Sequence, residues 1–546
     1  MPGDNFELDL SEVLLRGRDI HHLFRKAVIR VLVITDTEIS ISDTGDFGVG
    51  RFVRLLRESS VGCTRFAVDI AVRSPGDFSE NPSPAVGQAR YSGFRFDSTG
   101  AGGGNVIDDY HELFVFGFKP DNFAQSDANI DLPASLPATD AELQVLHGWM
   151  HNGGGIFATG DHDYLGASMC HRIARVGTMR QWTNADGVPP IDGPTRLDTN
   201  QPDTPGELAG TDIIPNTAER DATPQPIRWM PEFSIRLGWR IHRRPHPILC
   251  HPEHGVIDVM PDHPHEGRCN EIAAIDLSAK TRFDNSVDEY PTVGGVQPKP
   301  KIIARGDTVA DPPYEHAKGT ANHYDFPMIS VYDGHPIDIG RVVVDSTWHH
   351  WFNLNIDGIE ASGHPTNWAK ISRYYLNVAV WLANKGTYKS RCWWELLQAH
   401  LTYPGIEELR AELPLLDKGR IIRDHLVHLW GPCTVTEFVL INLCDLHPAI
   451  CGLYEQQLRF PPGPDPWCLT CPPWEFIELT VLGGMAEGVQ PTVDLLRAVL
   501  RDGKPVNKLI TNDEIEKTAL SGAKQAIDRM QSQVTASLKK TNEVFC

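Results

Sequence analysis

The sequence predicts an α/β protein built on a doubly wound, mainly parallel sheet, and three observations carry that expectation. Short β-branched runs such as VIRVLVITD, residues 28–36, alternate with amphipathic segments of helical length. The runs are apolar throughout, as a strand covered on both faces must be. They end in polar, glycine-bearing loops, where a parallel strand hands over to its crossover helix.

Residues 1–27 are polar and amphipathic and read as a leading helix with a loop. The first strand, 28–36, ends in an acid and is followed by a loop and helix over 43–59. FAVDIAV, 66–72, is the second strand, and a Pro/Gly/Ser-rich loop over 74–105 leads to the third, HELFVFGF, 111–118. DAELQVLHGWMHNGGG, 140–155, is a helix with a glycine stop, and IFATG, 156–160, is the fourth strand. From 177 to 335 the pattern dissolves into Pro, Gly, Asp and Asn with short strand-like pieces, and an insertion of this length predicts a functional loop or a subdomain. GRVVVDSTWHHWF, 340–352, holds the fifth strand, and NWAKISRYYLNVAVWLANKG, 367–386, is a helix closed by Gly386. Beyond 390 the chain reads as helical, from WWELLQAHL to a polar tail helix over 512–540. The predicted class is α/β, a flavodoxin-like doubly wound parallel sheet with a long insertion, plus an all-helical C-terminal domain. The predicted divisions are 1–27, 28–387 with the insertion 177–335, and 388–546.

With 546 residues, 41% of them hydrophobic, the chain has material for a large core. The formal charge of −21, from 71 acids against 50 bases, argues against nucleic acid as a partner, since phosphate binding needs a basic surface. Arg240, Arg243 and Arg244 form a local basic patch, read as a solvated face. No run of apolar residues approaches a membrane span, and the acidic start MPGDNFELDL lacks the pattern of a signal peptide. A cytoplasmic location is the expectation. The eleven cysteines are scattered and odd in number, which predicts reduced core thiols, the CxxC of Cys468 and Cys471 included.

Ligands of an open parallel sheet sit at the carboxyl ends of its strands. The first strand delivers Asp36, Thr37 and Glu38, the fourth Asp161, His162 and Asp163, and the fifth Asp345, Ser346, Thr347, Trp348, His349 and His350. A histidine paired with a carboxylate moves protons near neutral pH. Asp161, His162, His349 and His350 are therefore the candidate catalytic groups. Asp36, Glu38, Asp163 and Trp348 are candidates to hold a small-molecule substrate. Gly160 and Gly166 suit a tight strand-to-helix turn around Asp161, whose helix N-terminus would favour an anion. Cys170 lies further into that helix and reads as packing. A second cluster, Asp262, His263, His265 and Glu266, could hold a divalent zinc, iron or manganese ion, position substrate without metal, or be a solvated loop.

The helix ending in GGG, the strand IFATG, the turn after it and the late strand GRVVVDSTWHH together resemble the class I glutamine amidotransferase-like superfamily. The trehalose-utilisation-type (ThuA-like) branch is the nearest in pattern, with His246-Pro247-Ile248 and PDHPHEG, 261–267, matching its middle segment. The resemblance covers residues 30–385 and implies the fold. It implies no thiolate chemistry, because the elbow carries Gly160 or Asp161 in place of cysteine, and His349-His350 is followed by Trp351. Three functional expectations follow: an acid–base hydrolase acting on carbohydrate or amide, a non-catalytic ligand-binding or scaffold protein, or a metal-dependent hydrolase using 262–266.

Overall fold

The computed structural model describes residues 7–9, 27–119, 136–161, 165–182, 224–237, 240–261, 267–307, 325–361, 364–402, 413–459, 473–502 and 509–545. Its centre is five parallel strands. β1 (Ala27–Asp36) pairs on one side with β2 (Thr64–Arg73) and on the other with β3 (Glu112–Phe116). β4 (Gly155–Thr159) follows β3. The late strand Val342–Asp345 follows β4. In β1, Val31 and Val33 face one apolar core while Leu32 and Ile34 face another. That two-sided burial is why the strand sequences do not alternate in polarity. Helices α1 (Gly50–Glu58) and α3 (Pro365–Leu382) cover the first face, and α2 (Asp140–His151) covers the second. A capping box fixes the start of α2: Thr139 accepts from the Glu142 amide while Glu142 reaches back to the Thr139 amide. The same buried Glu142 pairs with Arg73 at 2.5 Å.

The insertion departs from expectation. Its strands β5 (Pro224–Trp229), β6 (Val259–Pro261), β7 (Lys301–Asp307) and β8 (Asp325–Tyr332) continue the same sheet antiparallel beyond the late strand, here β9. The order of these nine strands is β6-β5-β7-β8-β9-β4-β3-β1-β2, with short strands at 60–61, 79–80 and 91–92 beyond β2, so the sheet is mixed, with its parallel part central. Sequence reasoning missed the extension because these strands are separated by proline-rich loops and pair with distant partners, leaving no local period to read.

Two further differences concern the ends and the helices. Residues 7–9, expected within a leading helix, form a strand antiparallel to Leu509–Thr511. The boundary expected at 387–392 falls inside α4 (Lys385–Thr402), which packs Trp393, Leu396 and Leu397 into the core that also holds Val31 and Tyr374. Helices α5 (Leu415–Trp430), α6 (Pro432–Leu446), α7 (Pro448–Arg459), α8 (Trp474–Asp502) and α9 (Asn512–Phe545) complete the C-terminal region. None of the helices among the described residues is long and apolar enough to cross a membrane. Cys444 and Cys451, expected reduced, are joined in a disulfide, because the short α6–α7 connection brings their Cα atoms to 4.8 Å. Cys468 and Cys471 lie outside the described residues.

At the carboxyl ends of β3 and β4 three glycines close on one another. A Cβ on Gly166 would meet the Gly117 oxygen and the Gly160 Cα, each at 2.9 Å, and Gly166 has φ +89°. Both the space and the left-handed backbone exclude a side chain. Gly166→Ala is expected to lower stability by about 2–4 kcal/mol, read as a drop in the urea midpoint; an unchanged midpoint would show that the turn relaxes freely.

Candidate functional site

β4 and β9 are parallel neighbours, so their exit turns meet at one edge of the sheet. The guanidinium of Arg180, fully buried, binds those turns together. Its Nη2 donates to the Asp161 carbonyl at 2.7 Å and the Ser346 carbonyl at 2.6 Å, and its Nε to the Asp345 carbonyl at 3.1 Å. The ring of Trp182 lies 4.4 Å from the guanidinium carbon. The Trp348 amide adds a 2.8 Å bond to the Gly160 carbonyl.

Thr347 then does two things. Its Oγ1 accepts from the His349 amide at 3.0 Å, capping the short helical turn Trp348–His350. The same hydroxyl donates to Asp161 Oδ1 at 2.9 Å. His349 Nε2 stands 3.7 Å from Asp161 Oδ2, and its Nδ1 is 3.0 Å from Asn355 Oδ1. His350 turns the other way, with Nδ1 at 2.8 Å from Asp345 Oδ1. Asp345 Oδ2 accepts from Trp351 Nε1 and Tyr374 Oη, both at 3.0 Å. Two histidine–carboxylate pairs thus stand back to back, and all four side chains are buried.

Asp36 borders this edge from β1. Its Oδ2 accepts from the backbone amides of Phe118 at 2.6 Å and Lys119 at 2.8 Å. Burial pushes its carboxyl up to about 6 in spite of those two bonds. Glu38 lies 3.6 Å from Lys119 Nζ and accepts from Thr37. The ring of Phe118 stacks on Trp348 at 6.0 Å, which joins the Asp36 loop to the β9 turn. Trp348 is 2% exposed, stacked 4.5 Å from Phe352 and met edge-on by Phe47, so it walls His349 from one side.

The structure therefore gathers Asp161, His349 and His350 with their partners, and sets Asp36, Glu38 and Trp348 around them. His162 and Asp163 lie outside the described residues, as do Asp262, His263, His265 and Glu266. The residue after that cluster is informative: a Cβ on Gly267 would meet the Asp161 and Ser346 carbonyls at 2.9 Å and the Arg180 guanidinium closer still. The insertion thus returns where the two turns join. Two other histidines of the insertion bond backbone amides. His246 Nδ1 accepts from the Ile248 amide, and burial lowers its pKa to about 3. His251 Nδ1 accepts from the Glu253 and His254 amides, and burial lowers it to about 4. The helix after Asp161 is only Ala167–Cys170, four residues, too short for the anion site its turn suggested. Cys170 is buried, and burial raises its thiol, which fits a packing residue.

Arg180, Asn355 and Tyr374 escaped sequence reasoning. Arg180 serves backbone carbonyls, which leave no side-chain motif. Asn355, six residues past His349, and Tyr374, on the buried face of α3, were visible only as helix residues. Among the described residues, the grouping with metal-type spacing is Cys444, Cys451 and Glu455 in the helical region, where the two sulfurs are bonded to each other. Comparison with protein-family models, with curated proteins and with solved structures finds no match to this chain.

Two measurements probe this edge. Arg180→Met removes the donor to three buried carbonyls and is expected to cost about 3 kcal/mol or more in urea denaturation; a cost below 1 kcal/mol would show the turns hold without it. Asp36 contributes a pH dependence of its own. Its carboxyl rises from 3.8 unfolded to about 6 folded, so the folded state binds this proton more tightly. Ionised Asp36 costs stability above pH 6, and that cost fades as pH falls from 6 to 4. Asp36→Asn keeps the amide acceptor. It is expected to gain up to about 3 kcal/mol at pH 7 and little at pH 4. Equal differences from native protein at both pH values would refute this.

Proposed function

We propose that the α/β domain is a hydrolase-type enzyme that works by acid–base chemistry on a small molecule of the carbohydrate or amide class, without a cysteine nucleophile. The observation that carries this reading is the Asp161–Thr347–His349 arrangement at the sheet edge where parallel folds present their ligands. His349 is the group to move a proton, Asp161 the carboxylate that faces its Nε2, and Thr347 the hydroxyl that fixes both. Asp345 orients His350 in the same manner through Nδ1. The class I amidotransferase-like, ThuA-like relationship belongs to this proposal. Counting the parallel strands along the chain, their spatial order is second, first, third, fourth, fifth, which favours a flavodoxin-like core.

A second reading has one observation in its favour. Asp161, His349 and His350 are each at most 1% exposed, as a network that only stiffens a scaffold would be. The two readings part in one experiment. Purified protein is assayed against nitrophenyl esters, anilides and glycosides, with His349→Gln and Asp161→Asn alongside. The enzyme reading expects turnover by the native chain and a loss of about 100-fold or more in each variant, with melting temperatures within a few degrees of native. Native-level turnover in His349→Gln sinks the assignment, and a native chain inert toward every substrate leaves the scaffold reading.

A further inference from the structure

Among the described residues five arginines are almost wholly buried, and four of them reach at least one acceptor with the guanidinium. Arg73 pairs with Glu142, Arg341 with Asp333 and Glu437, Arg180 with four carbonyls, and Arg175 with the Glu289 carbonyl through Nη1 alone. Arg391, on α4, is 0% exposed, and among the described residues none of its Nε, Nη1 and Nη2 atoms has a hydrogen-bond acceptor. A guanidinium does not shed its proton in a protein, so this is a buried positive charge and not a neutral group. The rings of Tyr388 and Trp430 lie 4.6 and 5.1 Å from its central carbon. Ring faces attract a cation but do not accept its N–H groups, and they offset only part of the cost of burying it.

The surroundings raise that cost further. Arg391 lines a cavity of about 10 Å³, enough for one small occupant, together with Arg373, Asn377, Tyr388, Trp430 and Thr434. Arg373 brings a second positive charge to the same space; its own donors go to Asn377 Oδ1 and the Leu429 carbonyl. Burial, with the charge of Arg391 behind it, lowers Arg373 to about 10. The nearby acid is Glu395, one turn along α4. Its carboxylate is taken by the Cys63 amide, and burial pushes it up to about 7, so near neutral pH it is only partly ionised. Glu437 is engaged by Arg341, Trp381 and Tyr388.

We propose that this cavity, between α3, α4, α5 and α6, is a binding site for one small monovalent anion of the chloride class, held by the N–H groups of Arg391 with Arg373 beside it. Water would satisfy the donors but bring no charge to offset the two cations. The inference is independent of the acid–base site, because it rests on other residues and on the helical side of the molecule.

Crystals grown with sodium bromide decide it directly. A bromide anomalous peak between Arg373 and Arg391 is expected. No peak, with density refining as a water, overturns the proposal. A solution measurement runs beside it: melting temperature in chloride against gluconate at equal ionic strength. Native protein is expected to gain about 1 °C per tenfold rise in chloride, and Arg391→Met to show no such dependence. A native melting temperature that ignores the exchange of chloride for gluconate also overturns it. Should Arg391→Met fail to fold, the bromide crystal of the native chain still decides.

Discussion

Arg180 sits at the junction of two turns that have nothing covalent in common over 180 residues of chain. A parallel sheet fixes the direction and spacing of β4 and β9, but not the path of the backbone once the strands end. Three carbonyls, of Asp161, Asp345 and Ser346, point inward there and need donors, because buried carbonyls left unpaired are costly. One planar fork supplies them all, and Gly267 leaves room for it. With the two turns locked, the Thr347 hydroxyl and the His349 ring fall within reach of Asp161 as a consequence. Without that clamp, the aromatic wall of Trp348, Phe352 and Phe47 would have no fixed frame to pack on.

The two histidine–carboxylate pairs differ in how completely they are tied. Asp345 is held by three side chains, the adjacent His350 and Trp351 in the turn and Tyr374 on α3. A carboxylate so surrounded is a rigid anchor, since any shift breaks several bonds together. Asp161 takes the Thr347 hydroxyl on one oxygen and faces His349 at 3.7 Å on the other, a looser contact. The tight pair lies toward α3 and the core, and the looser pair lies toward the return of the insertion.

How much of this was legible in the sequence depends on the range of the interaction concerned. The five parallel strands were readable because two-sided burial imposes a continuous apolar run on each, and β1 with its ten residues shows this plainly. The polar strand ends were readable because Asp36, Asp161 and the Thr347–His350 segment follow those runs directly. The antiparallel extension was not, since β7 and β8 are specified by each other across a long loop. Arg180 was hidden for a related reason: its partners are backbone atoms, which every sequence supplies. The boundary near 390 was drawn from a change in composition, whereas α4 answers to a core that includes Trp393 and Val31 together.

The pairing of residues 7–9 with 509–511 has a consequence for how the chain is made. The two strands are separated by roughly 500 residues, so at the usual pace of translation the first leaves the ribosome roughly 25–100 s before its partner exists. For that interval the sheet on β1 has every neighbour it needs from nearby sequence, while the leading strand has none. This pairing can therefore form only after most of the sheet has been synthesised. A nascent chain halted anywhere short of residue 509 would carry a loose, pairing-competent edge.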